Sequence, residues 1–87
     1  MVVIQKDYVS MLLLGDLFSE KHKTEERIEF YKKKYKTDIS SFKSQVFEGD
    51  ENFEYYDDYL EWKAYVNSLK DINRKINEIK DGNFQIA

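Results

Sequence analysis

Cysteine and proline are absent from this chain of 87 residues, and glycine occurs only three times. Without cysteine there is no disulfide framework, no thiolate metal site and no cysteine nucleophile. Without proline, and with glycine so scarce, little in the composition interrupts a long helix, and the inventory suits helices better than sheets. Long apolar runs are missing too. The strongest, residues 8–18, is interrupted by Ser10, Gly15 and Asp16 and falls short of the roughly 20 residues that span a bilayer. It does not read as a secretion signal either, because Asp7 offsets Lys6 and the run leads into Ser-Glu-Lys-His-Lys instead of a small-residue cleavage site. Catalytic motifs are equally scarce. No serine or threonine sits in a nucleophile motif, no glycine-rich phosphate loop exists, and the single histidine, His22, lies between two lysines. These absences lead us to expect one cytoplasmic domain over residues 1–87, without enzymatic activity, cofactor, metal or membrane span.

What is present is charge, unevenly spread, and aromatic residues. The net charge is -3 with a pI near 5.1, which argues against a general nucleic-acid binder. Residues 21–36 carry seven Lys or Arg against three Glu, whereas residues 48–61 carry seven Asp or Glu and no cation.

Helical periodicity organises the chain into three segments. Asp7 offers a cap for a helix over about residues 7–36, apolar on nearly every side as far as Phe18 and therefore expected to be buried on more than one face. Gly15-Asp16 and the start signal Thr24-Glu25-Glu26 leave room for a kink near residues 15–23. Leu14, Leu17, Ile28, Tyr31 and Tyr35 nevertheless share one side at 100° per residue, with Lys21 and Thr24 between them, which favours one long helix. Thr37 and Asp38 open a short helix over 38–48, closed by Gly49. Asp50 or Asn52 opens a long helix over 51–81, closed by Gly82. Its stripe is Tyr55, Tyr59, Trp62, Val66, Leu69, Ile72, Ile76 and Ile79, the last four in the rhythm of a helix-helix seam. The expected fold is all-α: a long antiparallel helical hairpin with a short intervening helix, dimerising into a bundle. Residues 1–4 are β-prone, and residues 83–87 read as a tail.

The least ordinary stretch is residues 51–65. On a helical wheel Tyr55, Tyr59, Trp62 and Val66 continue the seam, while Phe53, Tyr56, Leu60 and Ala64 form a second apolar strip on the far side. Glu54, Asp57, Asp58 and Glu61 lie between. A hairpin buries one strip, and the other is either further core or a contact for a partner protein. The carboxylates stand three or four residues apart, a spacing compatible with a divalent cation but common on solvated faces, and no Glu-x-x-His accompanies them. Nothing separates an acid from a base as a hydrolase needs. The cluster from Lys32 to Lys36, with Tyr31 and Tyr35 interleaved, has the ingredients for nucleic-acid stacking; a helix end complementing its own dipole, with the tyrosines turned inward, explains it more simply. The same basic patch facing the acidic strip of a second copy would fix the register of a dimer.

Residues 28–35, Ile-Glu-Phe-Tyr-Lys-Lys-Lys-Tyr, then Ile39-Ser-Ser-Phe42, then residues 52–65 with the core Asp57-Asp58-Tyr59-Leu60-Glu61-Trp62-Lys63, resemble a family of short archaeal and bacterial proteins read as antitoxin-like partners of small toxins. The resemblance covers about residues 25–80, and Lys36 departs from it where the family has a glycine. It implies a non-enzymatic inhibitor that covers a toxin, often a ribonuclease with a basic active site. Carried over residue by residue, it points to Asp57, Asp58, Tyr59, Glu61 and Trp62 as partner-binding, with Trp62 also claimed by the core. Tyr56 and Leu60 join them from the second strip. The expectation is a protein-binding regulator with a basic toxin as partner; the alternatives are a self-associating helical protein and a nucleic-acid binder using Lys32–Lys36.

Overall fold

The computed structural model describes residues 6–82, all of whose regular structure is helical: α1 (Lys6–Tyr35), α2 (Ile39–Glu48) and α3 (Phe53–Lys80). The expectations for residues 1–4 and 83–87 lie outside the described residues. α1 and α3 pack against each other as a hairpin, and α2 bridges them at one end.

α1 is already helical at Lys6, one residue before the expected cap at Asp7, and continues unbroken through Gly15 and Thr24. Thr24 does not start a helix. Its hydroxyl donates to the Glu20 carbonyl at 2.8 Å, the way a threonine is accommodated inside a helix. α1 ends where Lys36 turns into the left-handed region at φ 54°. Asp38 then caps α2, its carboxylate accepting from the Ser41 N–H at 2.8 Å. At Gly49 a side chain is barred by proximity, since a Cβ would lie 2.6 Å from the Gln45 carbonyl oxygen. Asn52 caps α3 by accepting from the Tyr55 N–H at 3.2 Å. Gly82, at φ 76°, closes α3 by donating to the Ile79 carbonyl.

The seam follows the helical stripes. Ile28 and Tyr31 of α1 are buried and Leu14, Leu17, Lys21, Thr24 and Tyr35 half-buried; from α3, Tyr59, Trp62, Ile72, Ile76 and Ile79 are buried. At the closed end the core is aromatic. Trp62, fully buried, lies nearly parallel to Tyr31 and Tyr35, with ring centroids 5.8 and 6.5 Å away. Phe42 of α2 stacks on Tyr35 at 4.0 Å. Towards the open end the core is aliphatic, and Lys80 ends α3 with its ammonium 5.7 Å from the Phe18 ring.

The two long helices are not flush. Both rise about 1.5 Å per residue, so equal runs of chain from Tyr31 back to Leu13 and from Trp62 on to Lys80 bring the last residue of α3 level with Leu13. α1 projects beyond it to Lys6 with no helix of its own chain alongside among the described residues. Tyr8, Met11 and Leu12 are exposed as a result, and Leu13 and Phe18, beside the end of α3, are exposed on the flank that α3 does not cover. The expected burial of this segment on more than one face is not provided by its own hairpin. No helix of the described residues is long and apolar enough to cross a membrane.

Candidate protein-binding surface

The residues singled out in the first half of α3 divide between interior and surface. Tyr59 and Trp62 retain 6% and 0% of their accessible surface, whereas Tyr56 and Leu60 retain 43% and 47%. Tyr59 and Trp62 are therefore seam residues that hold the helix in place. The reason is the helical repeat itself: both lie on the line of Tyr55, Val66 and Leu69 that faces α1 and α2, and Tyr56 and Leu60 lie roughly opposite.

The acidic strip divides in the same way. Asp58 turns towards α1, where its carboxylate accepts from the Lys34 ammonium at 2.7 Å and from the Tyr35 hydroxyl. Glu54 accepts from the same ammonium at 3.3 Å. Burial alone would raise the Asp58 carboxyl, but the hydrogen bonds from Lys34 and Tyr35 outweigh it and hold it below its ordinary 3.8. Burial, then the bond to Asp58, pushes Tyr35 up to about 12. The hydrogen bond to Asp58 is likewise the main cause holding Lys34 above the ordinary lysine value. Lys34 thus pairs the basic patch with the acidic strip within one chain, the contact that the sequence also permits between two copies. Asp58, half-buried, ties the hairpin together.

Asp57 faces outwards, and Glu61 stands at the rim of the seam. Both are exposed and lie along one border of the second strip, Phe53, Tyr56 and Leu60. Glu61 accepts from the Tyr65 hydroxyl at 3.2 Å. The Tyr31 hydroxyl is raised by burial and then by its hydrogen bond to Glu61. Sequence reasoning missed one member of the patch, Phe47 of α2. Its exposed ring meets Tyr56 edge-on at 6.2 Å and Tyr59 at 5.6 Å, so it widens the strip beyond α3. Its own helical stripe gave no sign of this, because it lies one residue past Val46 on the turn that leaves the seam. Next to it, Val46, Glu51, Asn52, Phe53 and Tyr56 line a groove of about 220 Å³. Phe47, Phe53, Tyr56 and Leu60 expose roughly 450 Å² between them, over half of what one partner contributes to a standard interface.

The other chemistry weighed from the sequence finds less support in the geometry. Tyr31 and Tyr35 are packed on Trp62 and Phe42, so the lysine cluster has no free tyrosine ring with which to stack a base. Lys32 meets Glu29 at 3.5 Å and Lys34 is engaged by Asp58 and Glu54. Among the described residues, no three His, Cys, Asp or Glu side chains come together as a metal ion would require. Compared with known proteins, the chain matches no family model, no curated protein and no solved structure.

Proposed function

We propose that this protein is a non-enzymatic binding module that docks a basic partner protein on the strip Phe47, Phe53, Tyr56 and Leu60, with Asp57 and Glu61 as its acidic border. The observation that carries the reading is the exposure of that strip while the aromatic residues beside it are buried. An apolar patch of aromatic and branched side chains supplies affinity, and carboxylates at its edge favour an electropositive partner and speed the encounter. Together with the sequence resemblance, this supports an antitoxin-like inhibitor that lays its acidic edge over the basic active surface of a small toxin.

The test is native co-purification followed by quantitative binding to the partner recovered. A stoichiometric small basic protein is expected. Its affinity should fall at least tenfold, about 1.4 kcal/mol, on Leu60→Ala, and the double charge reversal Asp57→Lys with Glu61→Lys should slow association, both with unchanged helicity. Retention of full affinity by both variants would remove the strip from the contact.

A further inference from the structure

The second exposed apolar surface lies at the opposite end of the rod and is independent of the proposed docking strip. Tyr8, Met11, Gly15 and Phe18 follow one another at intervals of three, four and three residues, so they form a single stripe along α1. That stripe is centred roughly 110° around the helix from Leu14 and Leu17, with Phe18 at the edge nearest the seam. It has the rhythm of a helix-helix contact, yet Met11 is 72% exposed, Tyr8 and Phe18 are exposed, and nothing approaches within 4 Å of the place a Gly15 side chain would occupy. α3 ends level with Leu13, so among the described residues no helix lies beside Tyr8 and Met11, and Gly15 and Phe18 sit beside the last turns of α3, where Lys80 reaches the Phe18 ring.

We infer that this stripe is the self-association surface of the protein, occupied by the same stripe of a second copy running antiparallel about a two-fold axis. The occupant follows from the order of side-chain sizes. About an axis midway between Met11 and Gly15, Met11 of each copy falls opposite Gly15 of the other, and Tyr8 falls opposite Phe18. Large meets small at the centre, and ring meets ring at the edges, so the stripe is complementary to itself. Charge points the same way. Each chain carries a net charge of -3, and residues 8–18 contain a single carboxylate, Asp16, which falls opposite Ser10 of the other copy, so here two acidic molecules approach without setting carboxylate against carboxylate. Tyr8, Met11, Leu12 and Phe18 expose roughly 450 Å² on each copy. About 900 Å² for the pair falls just short of the roughly 1,000 Å² that a stable specific interface clears, so the association is of the weak, transient kind.

Sedimentation of the full chain over a concentration series tests the inference. A monomer-dimer equilibrium is expected in the wild type. Met11→Glu should weaken it more than roughly tenfold, with an unchanged circular dichroism spectrum because Met11 packs on little in its own chain. Gly15→Leu is the sharper variant. It adds apolar surface and a better helix former, so it would strengthen indiscriminate adhesion but must block a contact in which Met11 sits over Gly15. Loss of the dimer in both variants, with binding at the Leu60 strip retained, supports the inference. A wild-type chain that stays monomeric, that binds phosphatidylcholine vesicles as a monomer through this stripe, or whose dimer survives Gly15→Leu overturns it.

Discussion

Lys36 carries a backbone conformation that its own side chain opposes. At φ 54° a residue with a Cβ costs about 1–2 kcal/mol relative to right-handed backbone, and glycine avoids that cost while losing some entropy on folding. Lys36→Gly is therefore expected to stabilise the protein by about 0.5–1 kcal/mol, seen as a rise of a few degrees in the thermal midpoint. Trp62 shows a different compromise. Its ring fills the centre of the aromatic core, but its Nε1–H is buried without an acceptor among the described residues. Trp62→Ala should cost about 3–5 kcal/mol, whereas Trp62→Phe, which keeps a ring and removes the orphaned donor, should cost only about 1–2 kcal/mol. Urea titrations of the three chains separate these values.

At the scale of elements, the tie from α1 to α3 runs through Asp58, and its pH dependence has a defined sign. A carboxyl held below its ordinary 3.8 in the folded state stabilises the fold at pH above that value and loses the contribution as pH falls through its folded pKa. Tyr35 works in reverse. Raised to about 12, it contributes below pH 10 and loses its contribution as pH rises through 12. Asp58→Asn is expected to be less stable than wild type at neutral pH, and the two stability curves should converge below the usual carboxylate range. The helices were themselves legible in the sequence. The stripe from Leu14 to Tyr35 and that from Tyr59 to Ile79 are periodic over many turns, and caps at Asp38 and Asn52 are local signals that act locally. Asp58 was not legible, because Lys34 reaches it from a helix 24 residues away and nothing near Asp58 announces that. Thr24 misled for the complementary reason: a residue that caps helices is equally able to bond back to the carbonyl one turn earlier.

For the whole molecule, the decisive feature is that burial is uneven along the hairpin. The closed end holds the mainly aromatic core of Ile28, Tyr31, Phe42, Tyr59 and Trp62, and α1 beyond Leu13 stands without a partner helix among the described residues. Amide exchange measured on dilute protein should be slowest around Tyr31 and Trp62 and fastest in residues 8–12, since opening free energy follows local burial. At concentrations where the chain dimerises, protection should appear in residues 8–18 and leave the closed end unchanged. A sequence apolar on all sides announces that a segment wants covering. It does not say whether its own chain or another molecule does so, and that is why the amino-terminal half of α1 and the Tyr56–Leu60 strip could be marked as apolar but not assigned.

The stacking of Trp62 on two tyrosines also gives the protein an optical signature. The only indole in the chain is shielded from water and sandwiched with Tyr31 and Tyr35 at ring angles of 16° and 13°. Its emission should be displaced to the blue and excited in part through the neighbouring phenols, with strong near-ultraviolet circular dichroism from the coupled rings. Both signals require α1, α2 and α3 to be assembled together. They report closure of the hairpin separately from helix content, and a partner or second copy that binds elsewhere should leave them unchanged.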